Sequence, residues 1–128
     1  MSKYPAINIQ WPISELILNG SKTVETRTYS IPKKYLNVDM IMIETPGPKG
    51  NFSARAVAII RFTNCFKYED KEEFYLDSDR HSVNPNSPWA WSDDKPKWGW
   101  EVEITEYFDQ EIIIKQKKGI VFTQSISI

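Results

Sequence analysis

The order of elements along the chain predicts an α+β domain, a small mixed β-barrel with an early helix closing one end. Three observations carry this. One short helical stretch follows a first strand and is then succeeded almost wholly by strand-like segments. The length, 128 residues, suits one domain that buries its own core. The late segments alternate apolar and polar residues, as half-buried strands do.

Residues 1–5 read as a loose end. Ile7-Asn8-Ile9 alternates and reads as a short strand. Pro12 suits the first position of a helix, and Ile13, Leu16 and Ile17 then fall at helical spacing. Asn19-Gly20 ends that helix, because glycine tolerates the left-handed turn past its last residue. Residues 21–29 are rich in Thr and Val and read as a strand. Met40 to Glu44 is apolar enough for a buried strand, and Pro46 to Asn51 is a turn. A strand over 54–62, running on towards Phe66, is followed by a charged surface helix over 69–80. Residues 81–97 form a long irregular connection holding Pro85, Pro88 and Pro96. Trp98 to Tyr107 alternates again, and Ile112–Lys115 and Ile120–Phe122 flank a turn at Lys117-Lys118-Gly119. The count comes to about five to seven strands with a helix near 12–19.

Composition narrows the function. Hydrophobic residues are 41% and charged residues 26%, ordinary for a globular chain. No segment approaches the ~20 apolar residues of a membrane span. The first five residues carry no apolar run of a secretory leader, and Cys65 is the only cysteine, so a disulfide framework and a Cys-rich zinc site are excluded. These features predict a cytoplasmic protein without a metal or other cofactor. Sixteen basic residues against seventeen acidic give a net charge of −1. A sequence-blind coat for nucleic acid would be basic, so any such role needs a local cleft. No phosphate-cradling G-x-x-x-x-G-K-[ST] or dinucleotide G-x-G-x-x-G pattern occurs.

The segment Ile7-Asn8-Ile9-Gln10, the helix after it, and Gly20-Ser21-Lys22-Thr23-Val24-Glu25-Thr26-Arg27 resemble an ASCH domain. Its core pattern is G-x-K-x-x-E-x-R following a helix. Trp98-Gly99-Trp100-Glu101-Val102 resembles the late "G-W" strand of that family, and Lys118-Gly119-Ile120-Val121-Phe122 resembles its terminal segment. The likeness covers residues 6–122 as one domain, leaving 123–128 as a C-terminal end. It implies a PUA-like barrel related to PUA, EVE and YTH domains, with RNA or a modified nucleoside or nucleotide as partner. Some ASCH members are ribonucleases. Others are amidohydrolases that deacylate N4-acetylcytidine through G-x-K-x-x-T-x-R, with Lys as base and Thr as nucleophile. Here Glu25 stands at the Thr position, which argues against deacylation.

The resemblance marks Lys22 and Glu25 as catalytic candidates, and Lys22, Arg27, Trp11 and Tyr29 as ligand-binding candidates. A guanidinium is a bidentate ligand for phosphate, a buried lysine can act as a base, and Glu25 could take a proton from a 2′-hydroxyl. Strand parity is an obstacle. Glu25 and Arg27 share a face, so Lys22 joins them only across a bulge or from a turn before pairing begins. Trp11 lies close to the expected cleft and is the better stacking candidate; Trp89 and Trp91 are open, and Trp100 alternates with Val102 as a core residue. Lys33, Lys34, Lys115, Lys117 and Lys118 are candidates for a phosphate track. His81 reads as a loop residue, and Cys65 as a small buried one. Three readings follow: a metal-independent ribonuclease on single-stranded RNA, a non-catalytic reader of RNA or a modified base, and an amidohydrolase on an acylated nucleoside.

Overall fold

The structure, a computed structural model, describes residues 3–114 and 121–127. Among the described residues six strands form one sheet: β1 (Lys3–Gln10), β2 (Val24–Arg27), β3 (Asp39–Thr45), β4 (Arg55–Tyr68), β5 (Lys97–Ile113) and β6 (Phe122–Ser127). Helix α1 (Ile13–Leu18) follows β1, while α2 (Lys71–Leu76) and α3 (Ser78–His81) lie between β4 and β5. The strand order is β2-β5-β4-β3-β1-β6, with β1 and β3 parallel and the other neighbours antiparallel.

Local chemistry explains these elements. The β-branched and sulfur-containing run of β3 is buried along nearly its whole length, as an interior strand should be. Asp70 caps α2 by accepting the Glu73 backbone N–H at 2.8 Å, and Glu73 returns the favour to Glu69 N–H at 3.2 Å. The acidic run at 69–73 is a solvated helix face, as its charge suggested.

The barrel expectation needs correction. Among the described residues no ladder joins β2 to β6, so the sheet keeps two edges. Three register shifts between β4 and β5 each add twist and bend the sheet. The bend is enough for side chains to meet where backbones do not. Trp100 of β5 stacks on Phe122 of β6 with ring centroids 6.1 Å apart, and Phe122 stacks on Tyr35 at 4.4 Å. Ile7, Ile9, Met40, Met42, Ile60 and Phe62 fill the space enclosed.

Other differences are smaller. Strand β1 already begins at Lys3, inside the segment that reads as a loose end. Residues 122–127 form strand β6, hydrogen-bonded to β1. Residues 112–113 extend β5 and do not form a strand of their own. The helix expected over 69–80 is two short ones, broken at Asp77. Strand β2 is shorter than expected, and Cys65 is half-buried, accepting the Ile31 N–H at 3.4 Å. Residues 115–120, with Lys115, Lys117, Lys118 and Gly119, lie outside the described residues.

Gly99 explains the Trp-Gly-Trp spacing. A Cβ there would lie 2.6 Å from Phe66 Cζ, whose ring packs edge-on against Tyr68 at 5.0 Å. Gly99→Ala is therefore expected to cost about 1–3 kcal/mol through overpacking, read by urea denaturation. A cost near zero would mean that Phe66 moves aside freely.

Candidate functional site

The end of α1 sets the position of Lys22. Gly20 takes φ +83° and turns the chain back, and the Lys22 N–H donates to Leu16 O at 2.9 Å. On the other side Thr23 N–H donates to Arg80 O at 2.8 Å. Pairing of β2 begins only at Val24, with Glu25 opposite Trp100 and Arg27 opposite Trp98. Lys22 thus sits in the turn before the strand, which resolves the parity obstacle.

From there the three side chains converge. Lys22 Nζ lies 3.7 Å from Glu25 Oε1, and Arg27 Nη2 donates to Glu25 Oε2 at 2.9 Å. Lys22 Nζ also donates to the His81 carbonyl at 2.5 Å. Lys22 is only 3% exposed and Glu25 6%, whereas the Arg27 side chain is 19% exposed. Burial pulls the Lys22 pKa below its usual value; Glu25 offsets part of this, and Arg27 and Lys97 add to the fall. Burial also opposes the Arg27 charge, but Glu25, with help from Tyr29, holds the guanidinium above its usual value.

An aromatic platform adjoins the charged group. The Arg27 guanidinium lies over the Trp100 ring at 5.5 Å, and Tyr29 meets that ring edge-on, also at 5.5 Å. Trp100 Nε1 donates to Tyr29 O at 3.1 Å. Trp100 itself is fully buried, whereas Tyr29 is 41% exposed. Arg27 and Tyr29 are the members of this group that face solvent.

Trp11 is not brought here. Its ring packs edge-on to Phe52 at 6.2 Å, and its Nε1 donates to Glu15 Oε1 at 2.9 Å. It stands before α1, and Lys22 stands after it; a six-residue helix puts on the order of 9 Å of axis between them. Sequence proximity to the helix was a poor guide, because the two ends of a helix serve different places.

A groove of about 540 Å³ opens beside Glu15, the Trp11 partner, and is lined also by Glu44, Arg55, Tyr107, Asp109 and Glu111 among others. Its charges are internally matched at the base. Arg55 donates to Glu44 Oε1 at 2.9 Å, and buried Ser14 donates to Glu44 Oε2 at 2.5 Å. Four carboxylates against one guanidinium repel a polyanion. The groove's electrostatics are wrong for RNA.

Two residues escaped the sequence reading. Lys97 is buried and donates from Nζ to Trp89 O at 2.6 Å, and burial lowers its pKa. His81 is not a loop residue but the fully buried end of α3. Nothing in either local sequence pattern marks burial.

No protein-family model matches the chain, and no curated protein matches it. Among solved structures, a crystal structure of ASCH from Zymomonas mobilis superposes with a TM-score of 0.68. The match covers 94% of this chain and 85% of that one, at 13% identity. The chain has the ASCH fold. At that identity the likeness is one of architecture. No helix among the described residues is long and apolar enough to cross a membrane.

Proposed function

We propose that this ASCH-fold protein binds single-stranded RNA or a nucleotide, with Arg27 and Tyr29 as its ligand-facing groups. One observation carries the reading. The partly exposed guanidinium of Arg27 is aimed by Glu25 beside an exposed tyrosine ring, giving a phosphate ligand and a base-stacking surface together. Lys22 stands behind them and adds positive charge. Its burial favours a reader over a nuclease, because a base must reach the proton that it removes.

The lowered pKa of Lys22 favours the competing reading, a metal-independent ribonuclease in which the neutral amine takes the 2′-hydroxyl proton. Deacylation of a nucleoside ranks last. Glu25 replaces the hydroxyl nucleophile, and its carboxylate is held by two cations.

Equilibrium binding of a fluorescent single-stranded RNA tests the reading. Contact with about two to four phosphates gives a log–log salt slope near −0.7 per phosphate. Arg27→Ala is expected to weaken binding by about 1–3 kcal/mol, since a charged hydrogen-bonding partner is lost. Absence of any affinity at low salt would sink the proposal. Incubation with RNA and with N4-acetylcytidine, with and without chelator, separates the three readings: intact substrates support a reader, cut RNA a ribonuclease, and deacetylated cytidine an amidohydrolase.

A further inference from the structure

His81 is the one histidine in the chain, and its surroundings fix its chemistry. The ring is 0% exposed and stacks on Phe74 with centroids 4.2 Å apart, with Tyr68 edge-on at 6.0 Å. The Val83 N–H donates to Nδ1 at 2.9 Å, so that nitrogen carries no proton. Nε2 lies 2.6 Å from Phe74 O, an acceptor only, so Nε2 carries the hydrogen. The ring is the neutral Nε2–H tautomer, with both nitrogens committed. The carbonyl of the same residue accepts Lys22 Nζ, and on either side Arg80 O and Ser82 Oγ bond to Thr23 N–H and Ser21 O. Three successive residues at the end of α3 thus grip three successive residues of the turn that holds Lys22.

We propose that His81 is a positioning residue: its neutral ring locks the end of α3 so that its carbonyl holds the Lys22 ammonium against Glu25, and protonation of the ring releases that ammonium. A proton on Nδ1 would face the Val83 N–H donor to donor, and that bond must open. It adjoins Ser82, which sits at φ +58° directly after the His81 carbonyl, so the change falls on the backbone next to that carbonyl.

The charged groups around the ring pull both ways. Burial is the strongest influence and keeps the pKa below the usual 6.5; Lys22 and Arg80 push the same way, while the Phe74 carbonyl and Asp77 oppose them. The unfolded chain therefore takes up the proton first. Stability from the neutral ring is complete above that value and is lost as pH falls below it. In the binding reading, which this inference refines, acidification frees the Lys22 ammonium to meet a phosphate.

The test needs no ligand, so a failure to bind RNA leaves it standing. NMR of the His81 ring nitrogens and of Lys22 Nζ is followed during acid titration. In the wild type, Lys22 Nζ protons should be protected from exchange near neutral pH and lose protection on the same curve as the ring protonates. His81→Asn keeps an acceptor for Val83 N–H without a titrating ring, so protection should persist without a pH step. His81→Phe keeps the stack but loses both bonds, so protection should be lost at every pH. Full protection in folded His81→Phe, or a Lys22 change at a pH unrelated to the ring, overturns the proposal. If His81→Phe does not fold, the coincidence of the two wild-type titrations decides by itself.

Discussion

Glu25→Ala is expected to destabilise the protein by about 3–5 kcal/mol near neutral pH. Glu25 sits between two cations, 3.7 Å from Lys22 Nζ and 2.9 Å from Arg27 Nη2. Lys22 is too buried to be hydrated in its place. Removing the carboxylate leaves a buried ammonium with only a carbonyl for a partner. The pH dependence identifies the cause. Lys22 already titrates below its usual 10.5 because burial outweighs the help that Glu25 gives. Without Glu25 its pKa drops further. The unfolded chain then holds a proton that the folded chain has lost, so stability rises with pH up to about 10.5. The penalty of Glu25→Ala should shrink as pH is raised from the variant's Lys22 pKa to the wild type's, both of which lie below 10.5. Urea denaturation across pH measures it. A penalty independent of pH would mean that the loss is one of packing and not of charge.

The convergence of these three side chains is legible in the sequence because it is local. Lys22, Glu25 and Arg27 fall within six residues, and the turn at Gly20 with the start of pairing at Val24 settles which way Lys22 points. Other partners come from far along the chain. The His81 carbonyl that receives Lys22 is 59 residues away, and the Trp100 ring beneath Arg27 belongs to another strand. Periodicity shows which residues are apolar, not which carbonyl a lysine will find.

The fold was legible to a similar depth. Strand, helix and then strands followed from alternation and from the glycine stop. The open edges did not: the pattern suggests a closed barrel, because backbone pairing of edges leaves no mark in a single strand's pattern. Val121 and Phe122 read only as the end of a short strand, whereas the ladder from Phe122 to Ser127 depends on β1. Trp11 was misplaced for the converse reason: adjacency to α1 in sequence does not say which of its ends a residue serves.

Trp100→Ala is expected to cost about 3–5 kcal/mol and, on the proposed binding reading, to weaken RNA binding along with it. The ring is fully buried and is shared by both ends of the open sheet. It meets Phe62 edge-on at 5.4 Å, stacks on Phe122 at 6.1 Å and supports Tyr29 at 5.5 Å. Truncation would leave a cavity at the place where side chains stand in for missing ladder bonds. Arg27 would lose the face beneath its guanidinium, and the Tyr29 carbonyl its indole donor. Trp100→Phe keeps an aromatic ring there and gives up the indole N–H, so its loss should be smaller, on the order of 1–2 kcal/mol. Denaturation midpoints rank the two variants, and RNA titration below the unfolding range reads the platform. If Trp100→Ala stays within about 1 kcal/mol of wild type, the ends of the sheet do not depend on this ring. If its stability falls but RNA affinity is unchanged, Arg27 and Tyr29 are positioned by β2 alone, and the aromatic floor has no part in binding.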